Sequence, residues 1–309
     1  MTLIIALLLV TQPVFTGTNL KPSLSLEKNL KSNVYYLSET LPSEVEEGFR
    51  LDESAKYIFS ELTQYSPNTR YQDFDVQGVT YRNVVVDIKG EIECGTYVIG
   101  AHFDTYGDLP GADDNISGVA GLIELTRLFS KNKPKCDLQM VAYTLEEPPY
   151  FRSEYMGSYV HAKSLYDNNI DVKAMLSLEM IGYFSDEAGS QNYPVKGMSY
   201  LYSDKGDFIT LVGNMSQMGL TRLMKKAMRS VTDLPVYSIN APAILAGIDF
   251  SDHLNYWQFD YPAIMVTDTA FNRNKNYHTK FDTADRLDYK RMAKVVDAVY
   301  YSVHQHMNQ

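Results

Sequence analysis

His102 and Asp104 stand two residues apart in His-Phe-Asp, directly after the apolar run Tyr97–Ala101. A lone histidine is ordinarily a packing or surface residue. An imidazole that binds a metal through one nitrogen, however, needs an acceptor for the proton on the other, and an aspartate two residues on at a strand end supplies one. The next loop, from Pro110 to Gly118, carries Asp113 and Asp114 ahead of a helix. Two acids there can simply cap that helix. The small residues around them also allow a tight turn that sends one carboxylate back toward His102, and a carboxylate has two oxygens with which to bridge two cations. Glu146 and Glu147 end the following apolar run. Adjacent acids in a solvated loop only repel each other; beside a metal, one ligates while its neighbour holds a water and takes its proton. Glu179 interrupts a run where burial is expected, and a buried carboxylate needs a partner or a metal. His278, in Asn276-Tyr-His-Thr279, completes the set. His102, Asp114, Glu147, Glu179 and His278 offer nitrogen and oxygen but no thiolate, a donor set that suits zinc or a neighbouring divalent ion in a catalytic site.

The elements between these residues are what must bring them together. The apolar periodicity predicts a helix from Ser43 to Tyr65, with Ser43 and Glu46 in the form of a capping box. Strands follow at Arg70–Val76 and Tyr81–Ile88, parted by the hairpin signal Gln77-Gly78. From Gly90 strand and helix alternate: strand Tyr97–Ala101, helix Ile116–Phe129, strand Leu138–Leu145, helix Ser158–Tyr166, strand Ala174–Ile181. An irregular stretch from Phe184 to Asp204 leads to strand Phe208–Val212, helix Ser216–Ser230, strand Val236–Ile239, a short helix His253–Gln258 and strand Ala263–Thr267. Asp288 is placed to cap a last helix, Tyr289–His306. This order predicts a single α/β domain with a mainly parallel, mixed central sheet and helices on both faces. In such sheets ligands bind where loops leave the carboxyl ends of the strands, and the five candidate ligands come from successive loops of that kind. His161, His304 and His306 fall on helices outside the constellation and read as packing or surface residues.

Composition narrows the partners. The chain has 309 residues, 45% of them hydrophobic, with 28 Lys and Arg against 38 Asp and Glu, a net charge of −10. That balance argues against a nucleic-acid partner, which calls for a basic face. The apolar run Leu3–Val10 is too short to span a bilayer and has the length of a signal-peptide core, although no Lys or Arg precedes it. Residues 1–20 are read as a removable leader on an exported protein and 21–309 as the folded domain; the alternative is a cytoplasmic protein in which the run is a buried strand or helix. No later segment stays apolar long enough for a membrane helix. Cys94 and Cys136 each precede an apolar run by a few residues. If those runs are neighbouring parallel strands, a disulfide is feasible; two unconnected thiols are the other reading.

The motifs HFD, PGADDNISG, LEE, LEMIGY, SDH and YHTKFDT, in this order and spacing, strongly resemble those of the zinc-dependent aminopeptidase family of the MH clan (peptidase family M28), which also includes glutamate carboxypeptidase, glutaminyl cyclase and the transferrin receptor ectodomain. The resemblance covers roughly Asn83 to the C-terminus. It implies the zinc exopeptidase (phosphorylase/hydrolase-like) fold and two zinc ions, one held by His102, Asp114 and Glu179, the second by Asp114, Glu147 and His278, with Asp114 bridging. It implies that Asp104 orients His102, that Glu146 is the general base, and that the substrate is a peptide whose free N-terminus anchors near the metals. Many members carry Asp where this chain has Glu179, one methylene longer. Ser251-Asp252-His253 also matches the pattern, without a role assigned to His253. The resemblance leaves two further functions in view: a single-zinc glutaminyl cyclase, and an inactive binding protein, which would have lost ligands.

Overall fold

Strands buried on both faces carry apolar residues in alternation toward two different cores, and β3 does so here. In the computed structural model, which describes residues 10–41, 49–195 and 197–308, Tyr97, Ile99 and Ala101 join one apolar cluster while Val98 joins a second on the opposite face. Among the described residues the strands are β1 (Thr69–Val76), β2 (Val79–Ile88), β3 (Thr96–His102), β4 (Asp137–Tyr143), β5 (Val172–Glu179), β6 (Ile209–Gly213), β7 (Val236–Asn240) and β8 (Ala263–Thr267). They form one sheet in the order β1-β2-β4-β3-β5-β8-β6-β7. β4, β3, β5 and β8 are parallel, β1, β2 and β4 pair antiparallel, and β6 runs antiparallel to β8 but parallel to β7. The sheet is therefore mixed with a parallel centre, as the alternation of elements predicts.

The helices are α1 (Glu27–Tyr35), α2 (Phe49–Thr63), α3 (Gly118–Lys131), α4 (Gly157–Asp167), α5 (Met218–Val231), α6 (His253–Trp257) and α7 (Tyr289–Met307). α1, α2, α3, α5 and α7 contribute to the larger cluster on one face; α4 and α6 contribute to the smaller one on the other. Both faces are covered, which is what a parallel sheet requires. The expected hairpin lies at Gln77-Gly78, where both residues take positive φ (54° and 87°) and Val76 pairs with Val79. Asp288 caps α7 by accepting from the Arg291 amide at 2.9 Å. The expected capping box at Ser43 and the first nine residues of the expected leader lie outside the described residues.

Two strands stop earlier than their apolar runs, and the early stops matter. β4 ends at Tyr143 and β5 at Glu179, because Leu145 (φ 62°) and Met180 (φ 51°) leave the extended region. Glu179 thus ends a strand instead of interrupting one, and the Glu146–Glu147 pair follows a turn. Cys94 and Cys136, just ahead of the neighbouring strands β3 and β4, are joined in a disulfide with Cα atoms 5.1 Å apart. The chain between Thr11 and Lys21 runs along α5: the buried Lys225 ammonium donates to the Thr11 carbonyl at 2.8 Å, and the Asn19 and Lys21 amides donate to Ser230 and Val231.

Candidate metal centre

The carboxyl ends of β3 and β5, the turn after β4, the loop before α3 and the loop after β8 meet at one place. His102 Nε2 lies 3.4 Å from Glu179 Oε2 and 3.6 Å from Asp114 Oδ1. His278 Nε2 lies 3.1 Å from Asp114 Oδ2 and 3.2 Å from Glu147 Oε1. Donor atoms of His102, Asp114 and Glu179 lie within 4.8 Å of one another, and so do those of Asp114, Glu147 and His278. Asp114 belongs to both sets, one oxygen toward each imidazole. All five candidate ligands are therefore brought together. Glu146 Oε2 sits 3.8 Å from His102 Nε2, on the rim of the first set.

Local structure explains how Asp114 reaches inward. Gly111 (φ 60°) turns the loop so tightly that a Cβ there would stand 2.3 Å from the Asp114 carbonyl oxygen. Asp114 itself is extended (φ −103°, ψ 94°), Asn115 after it is also non-helical (φ −126°, ψ 35°), and the peptide between them is cis. Asn115 ties this loop to both flanks of Glu179, donating to the Leu178 carbonyl at 2.8 Å and accepting from the Met180 amide at 2.9 Å. Ser117 adds a bond from the Ile181 amide. The Asp282 carboxylate accepts from the amides of Asp113 and Asp114 at 3.0–3.2 Å, and Asn274 bridges Asp113 to Asp282. Behind it, the buried Arg273 guanidinium donates to Gln191 and the Tyr183 carbonyl and lies over Phe208. The Ser251 hydroxyl donates to Glu179 at 2.8 Å. His278 is held between two stacked rings, Tyr277 at 3.7 Å and Tyr106 at 4.2 Å between centroids.

Asp104 serves His102 differently from the simplest reading of His-x-Asp. The nearest acceptor to Nδ1 is the Asp104 main-chain carbonyl at 3.0 Å, with a carboxylate oxygen at 3.6 Å. The other carboxylate oxygen accepts from the Glu147 amide at 2.9 Å, so Asp104 couples the positions of two candidate ligands. His253 lies outside the donor sets: its Nε2 donates to the Ile248 carbonyl at 2.8 Å, and burial lowers its imidazole to about 4, leaving it neutral. His161 bonds Tyr256 in the core, His306 bonds Tyr97, and His304 sits near Asn308.

The electrostatics of this centre call for cations. Burial, then Glu179 and Glu147, push the Glu146 carboxyl well above the usual range against the pull of His102. Burial and the charge of Asp114 raise Glu147 to about 7. Burial works against a charge on His278, but the facing carboxylates of Asp114 and Glu147 prevail and raise it to about 9. Four or more carboxylates in one dry space repel one another, and bound divalent cations reverse that cost. The donor chemistry fits as well. His102 Nε2, Asp114 Oδ2, Glu147 Oε1 and His278 Nε2 are buried and without a hydrogen-bond partner. Buried polar atoms of native proteins are ordinarily satisfied, so orphans that converge from two imidazoles and two carboxylates form a set that could hold ions.

A pocket of about 100 Å³ opens beside Glu179. Its floor is formed by Thr210, Val212, Ile239, Met265 and Thr267 from β6, β7 and β8. The irregular stretch after Phe184 and the loop before α6 wall it in, with Tyr193, Tyr202, Phe208 and Phe250 among the walls.

Residues 83–303 match the family described as Peptidase family M28. Protein YfbL of Escherichia coli (strain K12) is 48% identical over 297 residues, covering 93% of this chain and 91% of that protein. Leucine aminopeptidase 1 of Paracoccidioides brasiliensis (strain Pb03) is 24% identical over 257 residues, 78% of this chain and 61% of its own length. Among solved structures, LapB from Legionella pneumophila superposes with a TM-score of 0.73 at 20% identity, over 91% of this chain and 72% of that one. Porphyromonas gingivalis glutaminyl cyclase superposes with a TM-score of 0.66 at 16% identity, over 92% and 100%. These two likenesses bear on the fold.

Proposed function

Because the chain belongs to peptidase family M28, a family of zinc exopeptidases, we propose that it is a metallo-aminopeptidase with a two-zinc centre. One ion is assigned to His102, Asp114 and Glu179, the second to Asp114, Glu147 and His278. The observation that carries this reading is the pair of donor sets sharing Asp114, with unpartnered atoms of both imidazoles and two carboxylates converging between them. Cations held there supply Lewis acidity toward a peptide carbonyl and toward a water.

The chain's own residues do the rest. Glu146 accepts a proton from the attacking water and returns it to the departing amine, so that the carbonyl carbon gains oxygen as the C–N bond breaks. Its carboxyl, raised by burial, takes up a proton more readily than a solvated glutamate, which suits that two-way traffic. Asp104 keeps His102 and Glu147 in place, and Ser251 fixes the rotamer of Glu179. The substrate's free α-amino group lies among the carboxylates, which restricts cleavage to the first peptide bond. The pocket beside Glu179 takes the side chain of that first residue; its apolar walls, and a relative named leucine aminopeptidase, support a large apolar residue there.

A glutaminyl cyclase is the second reading, supported by the likeness to the Porphyromonas gingivalis enzyme. We place the protein in an oxidising compartment: the leader-like run Leu3–Val10 and the Cys94–Cys136 disulfide both support export. Among the described residues no helix is long and apolar enough to cross a membrane.

The test is a panel of peptides beginning with Leu, Phe or Gln, free or N-acetylated. The proposal expects stepwise release of the first amino acid from the free peptides only, lost with a chelator and regained with zinc. Conversion of the Gln peptides to pyroglutamyl peptides without release from the others would favour the cyclase; release insensitive to chelators would contradict both.

A further inference from the structure

We infer that the pocket beside Glu179 recognises a tyrosine side chain at the substrate's N-terminus, its phenol meeting the Thr210 hydroxyl. This rests on the aminopeptidase reading and adds to it a choice of residue.

The register of the sheet sets the direction. Glu179 on β5 pairs with Thr267 on β8, and Thr267 pairs with Thr210 on β6. Paired residues point to the same face, so these three side chains form a row across the strands, and all three line the pocket. Adjacent strands lie about 4.8 Å apart, which puts Thr210 about 10 Å from Glu179 along that row. A residue whose carbonyl sits at the donor sets extends its side chain down this row. Leucine stops well short of Thr210; a para-substituted ring covers the span. The space also matches one aromatic side chain, since about 100 Å³ holds on the order of eight water-sized positions.

The chemistry at the far end singles out a hydroxyl. Thr210 is 6% exposed and its Oγ1 is buried without a hydrogen-bond partner. Among the described lining residues it is the one side chain with an orphaned buried polar atom. The neighbouring polar groups are already engaged. Tyr193 donates to the Ser203 carbonyl, Tyr202 donates to the Ser238 carbonyl at 2.9 Å, and Gln191 is tied to Arg273, Thr269 and Asn192. The rings of those tyrosines, with Phe208 and Phe250, remain as apolar walls that suit an aromatic face. Among the described lining residues Glu179 is the single charged one, and it belongs to the donor sets. None of the other described lining residues offers a charge to a Lys, Arg, Asp or Glu side chain. What is left there is a neutral hydroxyl in need of a partner, and a phenol both donates and accepts.

The experiment compares kcat/KM for tyrosyl and phenylalanyl amides of one leaving group, in the zinc-loaded wild type, Thr210→Val and Thr210→Ser. A hydrogen bond to a neutral hydroxyl is worth about 0.5–1.5 kcal/mol, so the wild type should favour tyrosyl by about two- to twelvefold. Thr210→Val should bring the ratio to one or below, and Thr210→Ser should keep it above one. A wild-type ratio of one or less, or a ratio that Thr210→Val leaves unchanged, overturns the inference while the aminopeptidase reading stands. If no amide is turned over, that reading falls, and the pocket is then read by thermal shift with tyrosinamide and phenylalaninamide. A larger shift with tyrosinamide that Thr210→Val removes upholds recognition of the phenol, and equal shifts overturn it.

Discussion

Glu146 and Glu147 are chain neighbours with different surroundings, and the difference supports the roles proposed for them. Glu147 faces His278 at 3.2 Å and has its amide held by Asp104; Glu146 stands on the rim, 3.8 Å from His102, and is absent from both donor sets. Leu145, with its positive φ, turns the chain into this pair; backbone conformations of this kind persist where surrounding structure enforces them and cluster at functional sites. Glu146→Gln keeps the size and the hydrogen-bonding ability of the side chain and removes the base. Its kcat should fall by about 10²–10⁴-fold, the usual worth of acid–base catalysis, with metal content unchanged. Steady-state kinetics beside elemental analysis of the same sample checks this. A Glu146→Gln enzyme with more than a tenth of the wild-type rate would mean that another group takes the proton.

At the scale of elements, α4 and α6 are joined to the sheet by a buried chain of three side chains. His161 Nδ1 meets the Tyr256 hydroxyl at 2.7 Å, and Tyr256 meets the Tyr143 hydroxyl at 2.7 Å. Burial lowers the His161 imidazole to about 3, so in the folded protein it stays neutral where the unfolded chain, near 6.5, takes up a proton. The stability this protects is fully present above pH 6.5 and is lost as pH falls toward 3, by about 1.4 kcal/mol for each unit in that window. His161→Gln, whose amide still reaches Tyr256, should show a shallower fall in Tm between pH 7 and pH 5 than the wild type. Equal slopes in the two proteins would remove His161 from the account.

The same scale explains what could be read from the sequence. His102, Asp104, Asp114, Glu146, Glu147, Glu179 and His278 are legible because donor chemistry restricts residue type and because strand-end loops in an alternating α/β chain face one edge. Their supports are not. Asp282 is 168 residues from the Asp114 amide it holds, and Asn115 is 63 from Leu178. Both lie inside the quoted motifs PGADDNISG and YHTKFDT, but nothing local says what they hold, and an Asn or Asp in a loop looks like any turn residue. Tyr277 shows in the sequence only as the neighbour of His278, and nothing in the sequence places Tyr106 on the other face of that ring. The pocket was hidden for a related reason: its floor needs the antiparallel register of β6 against β8, and nothing in the apolar pattern of β6 distinguishes a strand facing a helix from one facing a cleft.

For the molecule as a whole, the disulfide links the approach to β3 with the approach to β4, closing a loop of 42 residues that carries Asp104, Asp114 and all of α3. Cross-links of this kind contribute about 2–4 kcal/mol, so replacing Cys94 and Cys136 by Ser should lower Tm by several degrees under non-reducing conditions. A reducing agent should lower the wild type to the same point and leave the double variant unmoved. An unchanged Tm in both would show that the loop is held by its packing alone.

The net charge is −10, and buried carboxylates are concentrated where five segments converge on Asp114. The most direct test of the two-zinc centre proposed there is the metal content of purified protein, stripped and then equilibrated with zinc, for wild type and Asp114→Ala. The account predicts two zinc ions per wild-type chain and loss of tight binding at both positions in Asp114→Ala, because one side chain serves both sets. A wild-type protein that binds no zinc, or an Asp114→Ala protein that still holds two, would contradict it.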